Sequence, residues 1–221
     1  MNADDGWAGR VMVWLRIVSN LIVVNLLVLV GALIGLVVLG TMPALRAATV
    51  CLTRLRDGDT DRDLGLSGRG LVRTFATEYR HAFWRANLLG MPFAIALVLV
   101  VADTAVLPAL PGPISAAVAV LTWIVGAYAV IALSAVFAID MRYLDGVGAT
   151  IRYAATLPFV SPVMTSALVA ALGAVVFALT MLPMLAPLIG ASVPLFVAGW
   201  FVDHRLAQLD PEHPRAAALS H

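Results

Sequence analysis

The polar side chains set in or beside long apolar runs are the first candidates for chemistry in this sequence. Asn25 is the most polar group deep in an apolar stretch. Its amide could hydrogen-bond across a helix–helix interface or contact a substrate, and the first use is the commoner. Asp57, Asp59, Asp61 and Asp63 alternate in a polar segment and invite a calcium reading. An EF-hand loop starting at Asp57 would need Gly at its sixth position and Glu at its twelfth. Those positions hold Arg62 and Gly68, so a solvated acidic turn is the better reading. Glu78 and His81 stand one helical turn apart, and both are expected on a wet face. No G-x-S-x-G, H-E-x-x-H or P-loop pattern occurs, so no nucleophile–base set is visible. Cys51 is the single cysteine and cannot form an intramolecular disulfide, and the four histidines do not cluster. Neither a catalytic role nor a cofactor or metal is expected.

The elements that must position these residues follow from composition. Of 221 residues, 62% are hydrophobic and 12% charged, with mean hydropathy +0.97. A soluble domain is about 45–50% apolar and about 25% charged. A water-soluble globule of this length could not hide so much apolar surface, and disorder is excluded for the same reason. The chain reads as an all-α polytopic membrane protein. Five apolar stretches are long enough to span a bilayer: 17–40, 88–107, 114–139, 160–182 and 185–202. The last two are separated by a proline-rich turn near Pro183–Pro187. Residues 17–202 then form one five-span domain, with segment 1–16 before it and tail 203–221 after it. The first apolar run is too long for a cleavable signal peptide and is expected to stay as a helix.

Arginine placement sets the expected orientation, since all fourteen basic residues are Arg. Arg46, Arg54, Arg56, Arg62, Arg69, Arg73, Arg80 and Arg85 crowd the loop 41–87, which is therefore expected to be cytoplasmic. That puts the N-terminus outside and the C-terminus inside a bacterial plasma membrane, although Arg10 and Arg16 would also prefer the inside. Net charge is +1, which offers no electrostatic basis for binding nucleic acid. Trp7, Trp14, Trp84 and Trp200 fall at expected headgroup levels, while Trp123 is expected between helices. No Asp, Glu, Arg or His falls mid-span, which argues against an ion-coupled transporter. Gly31 and Gly35 have the spacing that lets helices approach closely.

Two amphipathic helices are expected in loop 41–87. Thr41-Met42-Pro43 reads as a helix start, with a capping hydroxyl and a proline in the first turn. A second helix starts near Arg69 and runs into the second span, with Leu71, Phe75, Tyr79 and Phe83 on one face and Arg69, Arg73 and Arg80 on another. Such helices lie along a membrane surface, so Thr41, Arg46, Arg69, Arg73, Arg80 and Trp84 are the candidate contacts for lipid or another anion. Docking of a partner protein is the alternative use of that face. The connection 140–159 has Asp140, Asp145, Gly146 and Pro158 at positions that faintly resemble the coupling loop of ABC-importer permeases. The usual Glu-Ala-Ala start is replaced by Asp140-Met141-Arg142, and the spacing to Pro158 is about one residue short.

The N-terminal half as a whole resembles the YesL-like (DUF624) family of bacterial membrane proteins. Trp14 leads into a span with Asn20 and Asn25. Gly40-Thr41-Met42-Pro43-Ala44 is similar to the family's Gly-x-x-Pro-Ala segment, and Phe83-Trp84-Arg85-Ala86-Asn87 to its aromatic-basic approach to the second span. The likeness covers about residues 10–95. It implies a five- or six-span protein linked with carbohydrate utilisation and sugar ABC importers, and it brings no catalytic residues. An accessory, non-enzymatic component working beside permease or ATPase subunits is therefore expected, with a self-contained transporter or channel for a neutral solute as the alternative.

Overall fold

A computed structural model of the chain describes residues 7–56, 68–107, 113–143 and 145–210. The acidic turn containing Asp57, Asp59, Asp61 and Asp63 lies outside the described residues. Among the described residues all regular structure is helical. The protein is an all-α polytopic membrane protein. Its candidate crossings are Trp14–Ile34, Phe83–Val106, Ile114–Arg142 and Pro162–Met181, and a fifth is a pair of helices bent by 61°.

Helix α1 (Trp7–Ile34) stops short of the expected Gly40. Val37 N–H bonds the Ala32 carbonyl at 2.7 Å and Leu36 N–H bonds the Leu33 carbonyl at 3.1 Å. This is the Schellman pattern, which needs a left-handed residue where Leu36 stands. Leu36 has φ 56° and Val37 φ 65°, each costing about 1–2 kcal/mol for an L-residue. The chain reverses at once into α2 (Val38–Arg56). Close packing of the two helices holds the turn. A Cβ on Gly35 would overlap the Gly40 Cα, and one on Gly31 would lie 3.1 Å from the Ala44 Cβ. The Gly31–Gly35 spacing thus serves contact within the chain. Gly35→Ala is expected to destabilise strongly, because backbone must move. The three atoms nearest to a Cβ on Gly90 all belong to the Met42 side chain, so Met42→Ala should rescue Gly90→Ala and leave Gly35→Ala unrescued in thermal unfolding.

The helix expected to start at Thr41 starts at Val38, and the Thr41 hydroxyl donates back to the Val37 carbonyl instead of capping. Pro43 therefore lies inside α2 and offers no N–H to the Leu39 carbonyl. Asn87 replaces that donor, its Nδ2 lying 3.0 Å from the Leu39 oxygen. Nor does α2 rest on a membrane surface. Met42, Ala44, Ala47, Ala48, Cys51 and Leu52 are buried, and α2 packs against α1, α3, α4, α5 and α9. Its small residues let it act as the hub of the fold.

Helix α3 (Gly68–His81) is amphipathic as expected, with Phe75 buried. A kink at Ala82 separates it from α4 (Phe83–Val106). Helices α4 and α5 (Pro113–Arg142) form an antiparallel hairpin, tied by Thr122 to Asp103 at one end and by Arg85 to Asp140 at the other. Most of segment 140–159 is α6 (Val147–Val160), pinned to α5 by the Tyr128 hydroxyl on the Ala155 carbonyl. Helix α7 (Pro162–Met181) buries Leu168 and exposes Val163, Val176, Phe177 and Met181. Trp123, expected between helices, is 70% exposed, because the packed side of α5 there is taken by Thr122 and Gly126 against α4. Such apolar exposure is suited to hydrocarbon. A 3₁₀ turn (Pro183–Leu185) leads to α8 (Ala186–Ile189) and α9 (Ser192–Leu209), so the expected last span is a bent pair that runs on past Val202.

Candidate functional site

The side chain of Asp140, at the end of α5, has no exposed surface. Its Oδ2 accepts from Arg46 Nε at 2.8 Å and its Oδ1 from Arg85 Nε at 2.6 Å. Arg46 Nη1 reaches Glu78 Oε2 at 3.1 Å, and Arg85 Nη2 donates to the Asp145 carbonyl at 2.7 Å. Two guanidinium groups and two carboxylates sum to zero charge, and they join α2, α3, α4 and α5. Neutral pairing is what low-dielectric surroundings demand. Two expectations change. Asp140 is not presented to a partner, and Arg46 is committed to carboxylates and not to lipid phosphate. Glu78, expected on a wet face, is part of the network.

A second ion pair links Arg56 at the end of α2 to Asp203 in α9. Asp203 is one residue past the expected last span, yet it lies inside α9 and is buried. Where α9 terminates, the Tyr143 hydroxyl donates to Asp210 Oδ2 at 2.8 Å and Arg142 to the Asp210 carbonyl. Burial, and then the bond to Asp210, push the Tyr143 phenol above its ordinary range. It stays a donor through mildly alkaline conditions.

Asn25 is 1% exposed and meets the break between α8 and α9. Its Nδ2 donates to the Pro187 carbonyl at 2.7 Å, and its Oδ1 accepts from Ala191 N–H at 2.8 Å and Ser192 N–H at 3.2 Å. An N-terminal helix turn leaves such N–H groups without partners. One amide of α1 thus caps α9 and holds the end of α8. This is the interhelical role of the two considered. Close by in the fold, Ser192 Oγ is buried without a partner, as is Asn20 Nδ2 on α1.

The remaining candidates fall into two groups. Arg69, Arg73 and Arg80 stay exposed on α3, and Trp84 is exposed at the start of α4. Thr41 is half-buried at the α1–α2 turn. Asp145 and Gly146 sit at the α5–α6 corner, with Gly146 as the extended residue before α6, while Pro158 is buried within α6. Among the described residues no group of three or more His, Cys, Asp or Glu could hold a metal.

Residues 21–104 match the family of proteins of unknown function DUF624. Over that stretch the chain is similar to the DUF624 family. The matched stretch holds Asn25, the α1–α2 turn, Arg46, Glu78, Arg85 and Asn87, whereas Asp140, Asp203 and the α8–α9 break lie beyond it. The chain is also 31% identical over 103 residues to the uncharacterized protein YteU of Bacillus subtilis. That match takes in 47% of this chain and 43% of YteU, so the chain spans less than half the length of this relative. No solved structure matches.

The pairings of Glu78, Asp203 and Asp210 were not evident from the sequence. One signal was available: an acidic residue closing a long apolar run, like Asp140, is rejected by hydrocarbon unless paired. The arginines of segment 41–87 are the abundant partners. Which of them pairs is a matter of tertiary packing.

Cys51 carries a prediction of its own. Burial, opposed in part by Arg54 and reinforced by Glu78, pushes its thiol up to about 12. The nucleophile is the thiolate. Native protein should therefore resist a maleimide at neutral pH, and one equivalent should react once detergent denatures it.

Proposed function

We propose that this protein is a non-enzymatic accessory component of a membrane uptake system, with carbohydrate as the solute class and an ABC-type importer as the partner. The family resemblance of the N-terminal half supports the sugar link. The observation that carries the partner role is the braced α5–α6 corner. Arg85 grips both Asp140 and the Asp145 carbonyl. The short α6 exposes Arg152, Tyr153 and Thr156 beside that corner. A rigid short helix between two long apolar ones is a suitable shape for docking on a soluble subunit. The positive-inside rule would then put this corner, α3 and the C-terminus in the cytoplasm of a bacterial cell, with the N-terminus outside.

The test is affinity purification of the full chain from its native membrane in mild detergent, with mass spectrometry of what accompanies it. Recovery of permease or ATPase subunits, lost on Tyr153→Ala with Arg152→Glu, is the expected result. Recovery of the protein alone would overturn this reading.

A second reading, a self-contained transporter of a neutral solute, is favoured by the α8–α9 break. Broken helices with partly unpaired polar groups recur at transporter binding sites. Here Ser192 Oγ and Asn20 Nδ2 are buried without partners. Solute flux into proteoliposomes holding this protein alone would support it, and no flux across a panel of neutral sugars would sink it.

A further inference from the structure

A cleft of about 370 Å³ opens where α5 and α9 end and α6 lies across them. Its walls include Leu157 and Leu206, and its polar lining includes Tyr143, Asp145, Tyr153 and Asp210. The volume falls in the range of small-ligand pockets, about 300–1,000 Å³. The depth is where apolar sequence gives way to polar sequence, the level of lipid headgroups. We propose that this cleft seats a phospholipid whose headgroup carries a primary ammonium.

The apolar walls suit acyl chain, and the chemistry of the rim selects the head. Two carboxylates line the cleft. Asp210 accepts from Tyr143. Asp145 is exposed, and Arg85 turns to its backbone carbonyl, not to its carboxylate. An anionic headgroup brings no cation to pair with Asp145 or Asp210. A quaternary ammonium has no N–H to donate, and the ring faces that could attract it already hold cations. Arg142 stands 6.0 Å from the Tyr143 ring centroid and Arg152 5.8 Å from that of Tyr153. A primary ammonium instead supplies three donors to carboxylate acceptors. Arg152 is exposed beside the cleft and provides the counter-charge for the lipid phosphate.

The test uses the full chain in mild detergent. Phosphatidylethanolamine, phosphatidylcholine and phosphatidylglycerol are added in equal amounts, and retained lipid is read by native mass spectrometry. Phosphatidylethanolamine should be retained over either of the others by about tenfold, the factor that about 1.4 kcal/mol from one extra charge-assisted bond produces. Asp145→Asn should remove most of that preference, and Asp145→Arg should turn it toward phosphatidylglycerol. Asp145 is exposed, so both variants should keep the parent melting temperature. Equal retention of the three lipids, preference for phosphatidylglycerol, or a preference unchanged in both variants would overturn the proposal. The assay holds no importer subunit and so reads lipid alone; Tyr153 is shared with the docking face, but Asp145→Asn leaves Arg152 and Tyr153 in place for partner capture, which keeps the two tests distinguishable.

Discussion

Asp140→Asn should unfold well below the parent protein. The replacement leaves Arg46 in a buried site with only the part-exposed Glu78 to balance it, and Arg85 with no carboxylate. Removing one partner of a buried pair costs about 3–5 kcal/mol. Arg85 is 36% exposed at its side chain and can turn to water, which favours the lower half of that range. For a chain of this size, about 3 kcal/mol corresponds to a fall on the order of 10 °C in melting temperature. The comparison that identifies the mechanism is Asp140→Leu combined with Arg46→Met. If the cost is an uncompensated charge, the double variant should recover at least half of the loss, since apolar replacements of buried pairs are often neutral. A fall of less than about 2 °C for Asp140→Asn would mean that the arginines find water, and the network would not be the clamp described.

Asn25→Leu should be nearly as damaging, through a different cause. The leucine keeps the volume but leaves Ala191 N–H, Ser192 N–H and the Pro187 carbonyl without their partner. Each buried backbone group left unsatisfied costs about 1–3 kcal/mol. Measured interhelical bonds in membranes average only about 0.6 kcal/mol, because alternative partners are found. At the N-terminus of α9 alternatives are few, so a total of about 2–4 kcal/mol is expected. The loss should be local first. Hydrogen exchange by mass spectrometry should speed up across residues 186–195 and stay unchanged across 131–139 of α5. Uniform acceleration, or none, would remove Asn25 as the holder of the α8–α9 break.

Composition and the lengths of the apolar runs determined that the chain is an all-α membrane protein. The reason is physical: an apolar run long enough to cross hydrocarbon has to satisfy its backbone internally, and a helix does that without help from neighbours. The amphipathic pattern of α3 was legible on the same grounds. Hydropathy carried no trace of the turn at Leu36 and Val37. Both residues are as apolar as the helix before them, and the glycine usual at such a stop is displaced by one position, to Gly35. The turn exists because Gly31, Gly35 and Gly40 let α2 fold back on α1, a tertiary cause. Asn25 was legible as a helix–helix contact, but its partners are 162 to 167 residues away and include backbone groups, which have no sequence signature. The charges were legible in type and not in pairing. An arginine of α2 looks the same whether it faces phosphate or carboxylate. Only the packing of five helices around α2 sends Arg46 to Asp140 and Arg56 to Asp203, because a buried charge takes whichever opposite charge the fold brings within reach.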